Sequence, residues 1–103
     1  MEPESNFQTY VQDLKEAIQN RKRVSLVYNG TMRLVEPQCL GIAANGNILL
    51  RAYQISPAPA MNKLFTIAPP KLGLLSVRNE SFYAEGPNYR RGDSAMKKIL
   101  CEL

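Results

Sequence analysis

The stretch RVSLVYNGTMRLVE, from Arg23 to Glu36, decides the fold of this chain. Two β-rich runs flank the pair Asn29-Gly30, which suits a two-residue type I′ turn because both residues accept positive φ angles. The sequence therefore predicts a β-hairpin, and antiparallel partners counted outward from the turn place Leu26 opposite Arg33. Arg33 then shares a sheet face with the apolar side chains of the hairpin, which are Val24, Leu26, Tyr28 and Val35.

This position makes Arg33 the first candidate for ligand binding. An arginine does not lose its proton near neutral pH, so a guanidinium among apolar side chains must reach water, pair with an acid or await an anion. Two interpretations stay open. In the first, Arg33 is structural: it forms an ion pair with a carboxylate such as Glu36 or Glu80, or its side chain reaches solvent. In the second, Arg33 contacts a phosphate or carboxylate of a ligand.

An amphipathic helix is predicted before the hairpin. Apolar residues repeat at the spacing of one helical face, and Ser5 with Gln8 resembles a capping box. The helix should run from about Asn6 to Asn20. The residues that form its apolar face are Phe7, Tyr10, Val11, Leu14 and Ile18.

A second hairpin should follow the first. The pair Asn45-Gly46 also suits a two-residue turn and joins residues 38–44 to residues 47–54. In that register Arg51 faces Leu40. Arg51 is thus a second candidate for anion contact, although solvent exposure is the simpler expectation for its side chain.

The remaining strands are short and bounded by prolines. Pro37 should end the second strand, and residues 56–62, with two prolines, should form a surface loop. Residues 63–67 and 74–78 are apolar and β-rich, which brings the prediction to about five or six strands.

The end of the chain shows a helical spacing again. Met96, Ile99, Leu100 and Leu103 follow a capping residue, Asp93 or Ser94. The predicted fold is therefore mainly β with flanking helices, a small β-barrel with an N-terminal amphipathic helix and a short C-terminal helix.

Composition predicts one globular domain over residues 1–103. An apolar fraction of 45% and a charged fraction of 21% are ordinary for a folded protein. The formal charge of +4 favours anionic partners without proving one. No run of residues approaches a membrane span and no signal peptide is evident, so we expect a cytoplasmic protein without membrane contact.

The absence of histidine argues against an enzyme. With 0 histidines, the chain lacks the commonest general base and the commonest metal ligand. Its acids are scattered, and Cys39 and Cys101 form neither a metal-ligand motif nor a disulfide framework. We expect no catalytic residue, no metal and no cofactor.

Two further groups of residues have the chemistry of nucleic-acid contact. Basic residues cluster in residues 21–23 and again in residues 90, 91, 97 and 98, where ordinary solvated charge is the alternative reading. Aromatic rings that stack on bases in other proteins are available too, although most should be core residues. They are Tyr28, Tyr53, Phe65, Phe82, Tyr83 and Tyr89.

The ordered set of residues from Ala17 to Gln54, together with a later strand, resembles the WYL domain family. About two thirds of the chain takes part in the resemblance, and the Trp-Tyr-Leu triplet of the family would fall on residues 48–50, where only Leu50 agrees. The matching positions are Ala17, Ile18, Arg23, Val24, Tyr28, Arg33, Val35, Pro37, Leu40, Leu50, Ala52, Tyr53, Lys63, Phe65, Ile67, Leu72 and Phe82.

The resemblance implies an Sm-like, SH3-type barrel and a role in ligand sensing. It implies a bacterial or phage protein that acts in transcription regulation, DNA repair or phage defence, here as a standalone domain without the helix-turn-helix domain usual in the family. Tyr28 and Arg33 match ligand-pocket residues of the family, and Lys63 replaces an arginine with charge retained.

Together these observations predict a non-enzymatic ligand-binding or regulatory module. Its ligand should be an anion, namely single-stranded nucleic acid or a nucleotide, held by Arg33 and Lys63 with Tyr28 and Arg51 as further contacts. The alternative is a protein-interaction or self-assembly module that uses the edge strands of the barrel or the terminal helix to bind a partner or a second copy.

Overall fold

The computed structural model describes residues 3–83, 85, 86 and 89–103, with side chains from residue 9 onward. One antiparallel sheet and one helix make up the fold of these residues. In chain order, the elements are α1 (Pro3–Asn20), β1 (Lys22–Tyr28), β2 (Thr31–Ile42), β3 (Ile48–Ser56), β4 (Ala60–Thr66), β5 (Leu72–Ser81) and β6 (Lys98–Glu102).

The first hairpin is confirmed residue by residue. Asn29 and Gly30 have φ angles of 50° and 79°, as a type I′ turn requires. Leu26 pairs with Arg33, and Tyr28 pairs with Thr31. The side chain of Arg33 therefore lies on the face of the hairpin that carries the core residues.

The second strand does not end at Pro37 as predicted. β2 continues to Ile42 as a strand of 12 residues. Pro37 lies beside a register shift in the β2–β3 ladder, and it falls between the part of β2 that pairs with β1 and the part that pairs with β6. A missing backbone N–H is tolerated at such an interruption of the ladder.

The sheet has the order β4-β3-β2-β1-β5, and β6 pairs with the far half of β2. β2 is long enough to pair with β1, β3 and β6 at different points along its two edges. β4 and β5 are the outer strands and do not pair with each other, so the sheet is not closed into the predicted barrel. The prediction of a mainly β fold is confirmed.

The second hairpin has a longer turn and a different register from the prediction. Ala43 and Asn47 close the turn through an N–H to carbonyl bond of 2.8 Å, and the Asn45 side chain accepts a bond from the Asn47 N–H. Arg51 consequently pairs with Cys39 instead of Leu40. A shift of one residue turns a side chain to the other sheet face, so Arg51 points away from the main core.

The predicted C-terminal helix is replaced by strand β6. Its residues pair with the edge of β2 from Cys39 to Ile42 that β1 leaves open. Asp93, predicted as a cap, accepts a bond from the Ala95 N–H within a turn. Four apolar residues fit a short strand as well as a helix, and the free edge of β2 decides between the two.

The other predicted elements are confirmed with altered ends. The helix is present as α1, and the two short strands are present as β4 and β5, each longer than predicted. The predicted loop at 56–62 is reduced to residues 57–59 because its flanks join β3 and β4. Among the described residues, no helix is long and apolar enough to cross a membrane.

Apolar side chains pack on both faces of the sheet. The main core lies between α1 and the inner face of the strands. A smaller cluster of Cys39, Leu49 and Met96 covers the opposite face. The largest fully buried apolar side chains of the main core are Leu14, Ile18, Leu26, Leu40, Leu50, Phe65 and Ile67.

Gly41 is required where Met96 crosses β2. A Cβ atom at this position would lie 2.5 Å from the Met96 Sδ and 2.6 Å from the Lys98 carbonyl oxygen. Gly41→Ala should therefore lower the free energy of unfolding by about 1–3 kcal/mol, measured by urea denaturation. Gly73→Ala is the control, because its Cβ would approach nothing closer than 3.6 Å. Equal urea midpoints for the two variants would contradict this packing.

Candidate anion-binding site

Arg33 is held on the inner face of the sheet by two oxygens that carry no formal charge. Its Nη1 donates to the Gln54 Oε1 at 3.1 Å, and its Nη2 donates to the Tyr28 carbonyl oxygen at 3.5 Å. The Nε is buried without a hydrogen-bond partner. The guanidinium is therefore oriented by the protein but keeps donor capacity for another acceptor.

Two aromatic rings surround the same guanidinium. Its central carbon lies 5.6 Å from the centre of the Tyr28 ring and 5.9 Å from that of Phe65. The rings contact each other edge to face at 4.9 Å, and the Tyr28 hydroxyl accepts a bond from the Thr66 N–H at 2.9 Å. The faces of the rings offset part of the desolvation cost of the cation without neutralising its charge.

The two acids considered as partners for Arg33 are paired elsewhere. Glu36 accepts from the Arg23 Nε at 3.1 Å, and Glu80 accepts from the Arg78 Nε at 3.3 Å. Among the described residues, no carboxylate lies within ion-pair distance of Arg33. The interpretation of Arg33 as half of a structural ion pair therefore does not hold for the described part of the chain.

Lys63 lies on the same face of the sheet as Arg33. It pairs across β4 and β3 with Ala52, which is fully buried in the main core, and it precedes the buried Phe65 by two residues. Its side chain is half-buried, and within the described residues it forms no ion pair. We call the group of Tyr28, Arg33, Gln54, Lys63 and Phe65 the Arg33 site.

Gln54 is the member of the Arg33 site that the sequence did not single out. Its amide is buried, with Oε1 accepting from Arg33 and Nε2 donating to the Ala58 carbonyl oxygen at 2.8 Å. The correct register of the second hairpin would have revealed it, because Leu50, Ala52 and Gln54 then alternate on the core face.

Arg51 is not part of the Arg33 site, because it lies on the opposite face of β3. Its Nε and Nη2 donate to the two carboxylate oxygens of Asp93 at 2.7 and 3.2 Å, and its Nη1 donates to the Asn62 carbonyl oxygen at 2.8 Å. This bidentate pair satisfies the guanidinium with an acid of the protein itself. Arg51 therefore has a structural role, and the prediction that it contacts a ligand at the Arg33 site does not fit its position.

The basic residues between α1 and β1 are also bonded within the protein. Arg21 pairs with Glu85 at 3.4 Å, Lys22 donates to the Ser81 hydroxyl at 2.9 Å, and Arg23 pairs with Glu36. These contacts fix the start of β1 against β5 and β2. Ordinary surface charge therefore describes residues 21–23 better than a phosphate-binding cluster does.

The aromatic residues differ in how much they offer to a ligand. Phe65 is fully buried and Tyr28 is only 9% exposed, so neither presents a ring face for base stacking. Tyr83 is 89% exposed, and Tyr53 and Tyr89 are half-buried. The rings at the Arg33 site position the cation and do not form a stacking platform.

Comparison with known proteins gives no family for this chain. No protein-family model matches it, and searches of curated proteins and of solved structures found no significant match. The resemblance to the WYL family therefore remains a prediction.

The Arg51–Asp93 pair should make stability depend on pH. The hydrogen bond from Arg51 lowers the pKa of Asp93 against the opposing effect of burial. A depressed carboxyl pKa stabilises the fold above the ordinary value near 3.8, and this stabilisation is lost as the pH falls through the folded pKa. Asp93→Asn should lower the free energy of unfolding by about 1–3 kcal/mol at pH 7 and by progressively less as the pH falls below about 4, measured by urea denaturation at pH 7 and near pH 3.

Glu80→Gln is the control for this pH series, since Glu80 belongs to the exposed pair with Arg78. An exposed pair contributes little, so the control should match the parent protein closely at both pH values. A constant difference between the parent and Asp93→Asn from neutral to acid pH would show that the charge of Asp93 is unimportant.

Proposed function

We propose that this chain is a non-enzymatic binding module whose Arg33 site holds an anion, most simply a phosphate of single-stranded nucleic acid or of a nucleotide. One observation carries the proposal. The Arg33 guanidinium is half-buried, it is oriented by two oxygens without formal charge, and no described carboxylate neutralises it.

The energetics favour an external anion over an empty site. Partial burial of a cation without a counter-charge costs free energy, which a bound anion would return through charge-assisted hydrogen bonds. The protein fixes the guanidinium through Gln54 and Tyr28 before any ligand arrives. Such pre-organisation lowers the entropy lost on binding.

Lys63 adds a second cation on the same sheet face. A lysine on a flexible stem reaches phosphate oxygens as a point charge, whereas the arginine fork fixes the geometry of one phosphate. Two cations, and no accessible aromatic ring among the residues of the Arg33 site, favour recognition of a phosphate backbone over reading of bases. Ligand sensing in a bacterial or phage regulator, as the WYL resemblance implies, is compatible with such a site and is part of the proposal.

Arg33→Met tests the proposal directly. The change removes the charge and keeps much of the side-chain length, so binding of a labelled single-stranded oligonucleotide should weaken by about tenfold or more. Because the change removes no ion pair within the described residues but leaves the buried Gln54 Oε1 without its donor, the melting temperature should fall by only a few degrees. Fluorescence anisotropy and thermal unfolding measure the two effects.

Salt dependence and a matched variant sharpen this test. Loss of one phosphate contact should reduce the slope of log K against log salt by about 0.7 for a single strand. Arg78→Gln removes the same charge from an exposed pair on β5 and should leave affinity and slope nearly unchanged. Equal weakening by both arginine variants would mean diffuse attraction instead of a site, and unchanged binding by Arg33→Met would refute the proposal.

Self-association through the sheet edges is a second candidate function, and exposed apolar side chains beside an edge strand support it. The outer strand β5 lies next to β1, where Met32 and Leu74 both pair with Val27 and are 63% and 65% exposed. An apolar stripe beside an unpaired edge strand is a common docking surface. The terminal element offers no such route, because Leu100 and Leu103 pack against the main core.

Sedimentation at low and high protein concentration tests self-association. If a second copy docks on this stripe, the mean mass should rise with concentration, and Leu74→Lys should keep the protein monomeric at all concentrations. Glu80→Gln, further along β5 and away from the stripe, is the control and should behave as the parent. A monomer throughout would remove this candidate.

A further inference from the structure

A basic cleft lies on the opposite side of β3 from the Arg33 site. Its volume is about 560 Å³, within the range of small-ligand sites. β3 supplies Arg51, which faces away from the main core. We call this surface the Arg90 cleft, and the residues that matter for its chemistry are Gln38, Arg51, Tyr89, Arg90, Arg91 and Asp93.

The three arginines of the Arg90 cleft differ in what they are free to bind. Arg51 is held by Asp93, and Arg91 pairs with Glu102 at 3.1 Å and donates to the Leu103 carbonyl oxygen. Arg90 is exposed and has no ion pair within the described part of the chain. The cleft therefore has a net positive charge and one uncommitted guanidinium.

The inner end of the cleft contains a buried amide without partners. Gln38 is 0% exposed, and neither its Oε1 nor its Nε2 has a hydrogen-bond partner among the described residues. Gly86 lies directly against this amide, where a Cβ atom would overlap the Gln38 Nε2. A buried amide with an unmet donor and an unmet acceptor destabilises the fold, so its retention at a cleft points to a ligand.

We propose that the Arg90 cleft binds a nucleoside monophosphate, either free or as one unit of a single strand. The Gln38 amide has a donor and an acceptor side by side, which matches the adenine edge formed by N6 and N7, and the base reaches them by displacing Gly86, which covers the Nε2. Arg90 binds the phosphate, and the half-buried ring of Tyr89 also lines the cleft. Adenosine monophosphate is the ligand that combines these features most simply.

This site is physically independent of the Arg33 site. The two lie on opposite faces of β3, since Ala52 and Gln54 face the main core while Arg51 faces the cleft. The inference shares the phosphate chemistry of the proposed function but does not need Arg33. The failure of one site in a binding experiment therefore leaves the other one testable.

Nuclear magnetic resonance titration of the isotope-labelled chain with adenosine monophosphate locates the ligand. The side-chain amide of Gln38 and the backbone amides of residues 89–94 should shift and saturate. Adenosine lacks the phosphate and ribose 5-phosphate lacks the base, so each should bind about tenfold more weakly. A short oligoadenylate that binds more tightly than the monophosphate assigns the site to a strand, and one that binds more weakly assigns it to the free nucleotide.

Two variants separate the contacts. Gln38→Met keeps the side-chain length and removes the amide, so adenosine monophosphate should bind about tenfold more weakly, at the level of ribose 5-phosphate. Its melting temperature should be equal or higher, because an unpartnered polar group is replaced by apolar atoms. Arg90→Gln changes an exposed side chain and should reduce binding to the level of adenosine with no change in melting temperature.

Arg78→Gln and Arg33→Met are the controls and should bind adenosine monophosphate at the Arg90 cleft as the parent does. The proposal is overturned if the shifts fall outside the cleft, or if Arg90→Gln binds adenosine monophosphate as well as the parent. Undiminished binding by a folded Gln38→Met also overturns it, since Gln38 would then be satisfied by water alone. Oligonucleotide binding that depends on Arg33 is tested by Arg33→Met alone and does not depend on the result for the Arg90 cleft.

Discussion

The fold depends on the length of β2. One strand of 12 residues pairs with β1, β3 and β6, so every other strand except β4 and β5 is placed directly by it. Its first half forms the hairpin that carries Arg33, and its second half carries Gln38 and Gly41. The first half therefore contributes to the Arg33 site and the second half to the Arg90 cleft, and Pro37 lies at the junction between the two halves.

The electrostatics of the chain divide its arginines into two classes. Arg23 and Arg51 have carboxylate partners and act as structural ties between elements. Arg33 and Arg90 have none within the described residues, one in a half-buried position and the other on the surface. Because the other described guanidinium groups are paired, these two are the places where we propose that anions bind.

Local rules were sufficient for part of this structure. The Asn29-Gly30 turn specified a hairpin whose register, and hence the face of Arg33, followed from counting outward. The same rule failed at Asn45-Gly46, because the turn spans more residues and moves Arg51 to the other face. β6 was mistaken for a helix because its state is decided by the open edge of β2, which is a long-range property that no local spacing encodes.

Some residues of the candidate sites could be predicted from the sequence, and others could not. The shared face of Tyr28 and Arg33 follows from the register of the first hairpin, whereas Lys63 was indicated only by the resemblance to the WYL family, and the structure places all three on one face. Gln54 was hidden by the register error, and the isolation of the Gln38 amide was invisible because it depends on what surrounds a residue after folding. Sequence reasoning finds the charge at a site more readily than the neutral groups that orient it.

The alternation of β3 has a consequence for how this protein can change over time. Leu50, Ala52 and Gln54 face the core side, while Leu49 and Arg51 face the cleft side. Insertion or deletion of one residue within the strand would exchange the two sets and dismantle both surfaces at once. Selection can therefore retune each surface by substitution, but it must preserve the number of residues in β3, and length variation should be confined to the loops at its two ends.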